Sequence, residues 1–68
     1  MTREPITSSM FTSVGFEENV LEVEYAGGRV YQASGIPEAL YNAFVTADSP
    51  GKFFNQHLRN KYTFAKVA

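Results

Sequence analysis

The chain has no cysteine and no tryptophan, and its single histidine, His57, is matched by a single aspartate, Asp48. Without cysteine there is no disulfide staple and no thiolate metal ligand, a composition that suits a reducing cytoplasm. One His and one Asp beside six Glu do not furnish a zinc or di-metal centre, so no metal and no cofactor are expected. Long apolar runs are also missing. The longest run of hydrocarbon side chains is Ala43-Phe44-Val45, far short of the roughly 20 residues that cross a bilayer, so no membrane partner is expected. The opening Met1-Thr2-Arg3-Glu4-Pro5 lacks the apolar stretch of a secretory signal. Charge of one sign is not in excess either: seven acids against six Lys and Arg leave a net −1, which excludes a bulk polycation. There is no internal repeat, linker or low-complexity tract.

What is present is apolar and aromatic. Of 68 residues, 17 are Leu, Ile, Val or Phe and ten are Phe or Tyr, too many for a disordered chain and enough for one small core. The first half reads as strands. Met10-Phe11-Thr12-Ser13-Val14 forms one, with Met10, Thr12 and Val14 on a common face, and Gly15 breaks it before a Glu17-Glu18-Asn19 turn. From Asn19 to Tyr25 the residues alternate, with Leu21, Val23 and Tyr25 on one face and Val20, Glu22 and Glu24 on the other. Arg29 to Ser34 is the return strand. Two registers compete for this hairpin. A two-residue Gly27-Gly28 turn pairs Glu24 with Tyr31, whereas a three-residue Ala26-Gly27-Gly28 loop with Gly28 left-handed pairs Val23 with Tyr31 and Leu21 with Ala33. The second joins the apolar residues on one face, and burial selects it.

The second half reads as helices. Pro37 and Glu38 start the first, with Ile36, Leu40, Ala43, Phe44 and Ala47 as its inner stripe and Tyr41 at the flank. Ser49 caps the second, Pro50 takes its first position, and Phe54, His57 and Leu58 form its inner stripe beside Phe53, with fraying expected near Arg59 to Lys61. The expected fold is α+β: a three-stranded antiparallel meander followed by two amphipathic helices packed on one face of the sheet. Residues 1–7 are read as an N-terminal tail, 8–62 as the domain, and 63–68 as a C-terminal tail or short extra strand.

Taken together, several strings resemble the KTSC domain, a short module named for its occurrence at the C-terminus of some lysyl-tRNA synthetases and also found as stand-alone bacterial and phage proteins. They are Ser8-Ser9, Val14-Gly15-Phe16, Leu21-x-Val23-x-Tyr25-x-x-Gly28-x-x-Tyr31, Gly35-Ile36-Pro37, Tyr41, Ala47-x-Ser49-x-Gly51-x-Phe53-Phe54-Asn55, Leu58 and Tyr62. The Ser-x-Gly-x-aromatic-Phe-Asn string is the most specific. The family carries a central Tyr-x-Tyr, whose second Tyr is Ala33 in this copy. The resemblance implies a compact fold without a settled function, and its synthetase context suggests RNA.

The residues themselves offer a further lead. Residues 1–49 carry a net −5, while residues 50–68 hold Lys52, Arg59, Lys61 and Lys66 with no acid, a net +4. On a regular helix Lys52, Asn55, Gln56 and Arg59 share one ridge at i, i+3, i+4 and i+7. Two cations can hold phosphates there and two amides can read base edges, although the same pattern describes an ordinary solvated face. Tyr31, Tyr41, Phe53 and Tyr62 are candidate stacking platforms, set against the need of a small core for nearly every aromatic. The Ser49-Pro50-Gly51-Lys52 helix start attracts anions in principle, but ordinary capping explains it. His57 lies on the apolar stripe and reads as a core or boundary residue; no serine sits in a nucleophile motif, so the chain is not expected to be an enzyme. Glu22 and Glu24 read as solubility or edge-protecting charges. The expected function is a small non-catalytic binding module that takes RNA through Lys52, Asn55, Gln56, Arg59, Lys61 and Tyr62. The alternative is a protein-interaction module using a sheet edge or apolar patch.

Overall fold

A computed structural model describes all residues, 1–68. It is an α+β fold whose sheet has five antiparallel strands in sequence order, β1 (Glu4–Pro5), β2 (Phe11–Glu17), β3 (Val20–Tyr25), β4 (Val30–Ala33) and β5 (Ala65–Lys66). Helix α1 (Glu38–Thr46) and helix α2 (Pro50–Phe53), which runs into a π-helical turn (Phe54–Leu58), lie between β4 and β5. The expected three-stranded meander is therefore its centre alone. Residues 1–7 and 63–68 each add an edge strand, pairing Glu4 with Val14 and Tyr31 with Lys66. Two-residue strands escape sequence periodicity because alternation needs several residues to show.

β2 departs from its expected face assignment. Phe11 pairs with Tyr25 and Ser13 with Glu24, so Thr12 is the extra residue of a β-bulge. The insertion puts Phe11 and Val14, three apart, on the same buried face, where strict alternation placed Met10, Thr12 and Val14. Gly15 does not end the strand. It sits buried within it, paired with Glu22, and a Cβ added there would lie 2.8 Å from the Thr2 carbonyl oxygen. The glycine admits the N-terminal segment against the sheet face away from the helices. β2 and β3 are joined by a two-residue turn in which Glu18 and Asn19 both take positive φ, 51° and 64°. This is the type I′ pattern that matches strand twist, and the Asn19 Nδ2 donates to the Ile36 carbonyl at 3.0 Å.

The β3–β4 hairpin adopts the three-residue register, with Val23 opposite Tyr31, Leu21 opposite Ala33, and Gly28 at φ 93°. One face of the sheet thereby presents Phe11, Val14, Leu21, Val23 and Ala33, over which Ile36, Phe44, Phe54 and Leu58 close a single core. Phe11 is its hub, with ring centroids 4.9 Å from Phe54, 5.0 Å from Tyr25 and 5.8 Å from Phe44. In α1, Ala43 is exposed and the inner face runs through Leu40, Tyr41, Phe44 and Val45, because Tyr41 stacks on Phe16 at 4.6 Å and turns that side inward. Pro37 stands just outside α1 as its extended cap residue, not within the first turn.

Ser49 caps α2 as expected, its side chain accepting from the Lys52 amide at 3.4 Å, and this bond uses one of the donors open to an anion. The next turn is wider than α. Arg59 N–H donates to the Phe54 carbonyl at 2.8 Å, five residues back. The helix ends at Leu58, and residues 59–61 form a turn closed by the Tyr62 N–H, which donates to the Leu58 carbonyl at 3.1 Å.

Candidate functional site

The π turn decides where the late side chains point. It uses one residue more than an α turn, so positions beyond it are set back by roughly a quarter turn. Lys52, Asn55 and Gln56 remain on the exposed side of the helix. Arg59 is carried off their ridge and lines two adjoining clefts on the far side of the helix, of about 220 and 300 Å³. The regular-helix ridge of four is corrected to three plus a separate Arg59. The same widening exposes His57, contrary to its expected burial, and leaves its ring 4.6 Å from that of Phe53. Lys61 is exposed, and Tyr62 is half-buried against the core.

Both clefts are bounded by Tyr25, Tyr31 and Arg59; Met10 and Arg29 complete one, Phe54 and Phe64 the other. No carboxylate lines either. Arg29 enters because the Gly28 turn brings it beside Tyr25, whose N–H donates to the Arg29 carbonyl at 2.8 Å. The two tyrosine rings meet edge to face at 5.4 Å and 81°. Burial pushes the Tyr25 hydroxyl above its ordinary pKa, while the positive charges of Arg59 and Arg29 pull it back and Tyr31 adds to the rise. The salt bridges of the fold are both made by Arg3, to Glu22 at 2.8 Å and Glu24 at 4.0 Å. Arg29 and Arg59 therefore border one cleft without an acidic partner. Arg29 and Tyr25 were not singled out from the sequence; the signal was their position around the hairpin turn in the register that burial selects.

Glu22 and Glu24 are not edge charges, because β3 is the central strand. Glu22 is 8% exposed and also accepts from Gln32 Nε2 at 2.6 Å. Glu24 accepts from the Thr12 and Ser13 hydroxyls at 2.7 and 2.8 Å, and these bonds hold its carboxyl below the ordinary pKa, with Arg3 adding to the effect and desolvation opposing it. Both carboxylates are thus spent within the outer sheet face. A third cleft, about 360 Å³ between β1 and the end of α1, is lined by Ile6, Val14, Tyr41, Val45 and Pro50 with Glu4 and Asp48 among its other residues. No helix is long and apolar enough to cross a membrane.

A five-stranded antiparallel meander with two helices inserted before the last strand is also the architecture of known proteins. The sequence pattern that defines the KTSC domain matches residues 7–62, and the chain belongs to the KTSC domain family. It is similar to the crystal structure of a KTSC domain protein from Yersinia pestis, with a TM-score of 0.89, 33% identity, and coverage of 98% of this chain and 97% of that one. An uncharacterised protein of Stutzerimonas stutzeri (strain A1501) is 38% identical over 58 residues, spanning 82% of each chain.

Proposed function

We propose that this KTSC domain is a small non-catalytic module that binds nucleic acid, with single-stranded RNA as its expected ligand. The observation that carries the reading is the segregation of charge. Lys52, Arg59, Lys61 and Lys66 are all exposed in a segment without an acid, and none of them forms an ion pair. Unneutralised cations beside the exposed amides of Asn55 and Gln56 suit a phosphate backbone with bases within reach. A protein-interaction role is less well supported. The sheet edges are two residues long, one containing Pro5, and the large exposed apolar residues are only Met1 and Val67.

The test is titration of isotopically labelled protein with short RNA and DNA oligomers at low and moderate salt. Amide shifts across residues 50–68 are expected, with affinity falling as salt rises. Four phosphate contacts on a single strand give a slope of log K against log salt near about −3. Silence of that segment at low salt overturns the reading. Binding of a protein partner that ignores salt favours the apolar alternative.

A further inference from the structure

Tyr25 and Tyr31 differ in how fully the fold uses them. Tyr25 has three aromatic neighbours, Phe11, Phe54 and Tyr31, whereas Tyr31 has only Tyr25. Tyr31 is half-buried, so it retains ring surface toward the cleft. Arg29 and Arg59 border that cleft from two elements far apart in sequence, and no acid neutralises them. Two guanidinium groups drawn to one concavity repel each other, and an anion between them removes that cost. A ligand that joins a planar ring to an anion answers both features, and a nucleotide is the general case. The cleft is concave and small, below the usual range for drug-sized ligands. A base still paired inside a duplex cannot enter it.

We propose that the cleft between Tyr25, Tyr31, Arg29 and Arg59 is a subsite for one nucleotide of a single strand, its base stacked on Tyr31 and its phosphate held by the two arginines. The subsite rests on the nucleic-acid reading above and adds its location, its one-nucleotide size and its demand for an unpaired base. It is separate from the Lys52, Asn55 and Gln56 surface, which serves flanking phosphates.

The experiment measures affinities of the intact protein for a labelled eight-nucleotide RNA, the same strand annealed into a duplex, and a nucleoside monophosphate. The variants are Arg29→Gln with Arg59→Gln, Tyr31→Leu, and Lys52→Gln as a comparison. The single strand is expected to bind at least ten-fold more tightly than the duplex. Tyr31→Leu weakens binding by about 5- to 140-fold with the salt slope unchanged, as loss of a stacking platform does. The double arginine variant lowers the salt slope by about 0.7, the share of the one phosphate that both guanidinium groups hold. Both arginines are exposed, so that variant stays folded and remains informative even where Tyr31→Leu loses structure. Binding that persists unchanged in the arginine variant but weakens in Lys52→Gln overturns the subsite and leaves the nucleic-acid reading standing. Equal affinity for the duplex, or a monophosphate bound as tightly as the strand, overturns it as well. Failure of wild-type protein to bind any strand removes both.

Discussion

Arg3 reaches over Gly15 to place its Nη1 2.8 Å from Oε2 of Glu22, two strands away. The contact ties the N-terminal strand to the central one across the face that the helices leave open. It depends on the missing side chain at position 15, since a Cβ there would also lie 3.2 Å from the Arg3 Cγ.

Gly15→Ala is therefore expected to lift β1. The nearest obstacle is the Thr2 backbone oxygen at 2.8 Å, which cannot swing aside as a side chain would. A loss of about 1–3 kcal/mol follows from overpacking. Amide exchange should show early loss of protection at Ile6, whose N–H donates to the Thr12 carbonyl. Unchanged protection there would contradict the close approach. Arg3→Ala should have a smaller effect, about 1–2 kcal/mol, because Glu22 keeps Gln32 and Arg3 is partly solvated.

Stability should fall in acid partly through Glu24. The bonds from Thr12 and Ser13 favour its charged form, so its folded pKa lies below the unfolded value. The unfolded state then binds protons first as pH drops. The contribution is whole above the ordinary carboxylate pKa of about 4.3 and disappears as pH falls through the folded value. Thermal melts between neutral and acid pH check this: Glu24→Gln should melt with a shallower acid dependence than wild type.

Gly28→Val should destabilise the domain by about 1 kcal/mol or more. The position has open space around a Cβ, so the cost comes from φ 93° alone. Gly28→Asn should cost less, since Asn tolerates positive φ better than a β-branched residue. Equal melting points for the two variants would remove conformational strain as the cause.

Alkaline titration reports on the cleft without any ligand. Burial raises the Tyr25 pKa and the arginines restrain the rise, so Arg59→Gln should move its ionisation to still higher pH. Ultraviolet absorbance of tyrosinate reads the change. Because the folded pKa is the higher one, the stabilising effect is complete below about pH 10 and fades as pH climbs through the folded value. An ionisation that moves down in Arg59→Gln would place the guanidinium away from the ring.

The hairpin register, the Ser49 cap and the α+β order were legible because each rests on residues close in sequence whose alternatives expose apolar surface. Leu21, Val23, Tyr31 and Ala33 can share a face in one register only. The Thr12 bulge hid itself, since one inserted residue shifts the period, and Thr12 is as acceptable outward as inward. Gly15 looked like a strand end because its reason is Thr2, a contact between distant parts of the chain. The π turn was illegible for a similar cause. Phe54 and Leu58 keep the four-residue spacing of an ordinary helix, and only tertiary packing selects the wider turn. The late cations were readable as a group, whereas the partnership of Arg59 with Arg29, Tyr25 and Tyr31 needed the folded chain.

The edge positions of β1 and β5 also govern how this domain can be joined to anything else. Four inter-strand steps of about 4.8 Å separate the two edges by about 19 Å, so additions to the two ends leave from opposite borders of the sheet. A circularly permuted version needs a bridge of at least about six extended residues to span that distance. An extension at Ala68 emerges beside the Val30 backbone that binds it, between Arg29 and Tyr31, so two copies fused in tandem would place the joint next to the cleft of the first copy and across the sheet from that of the second.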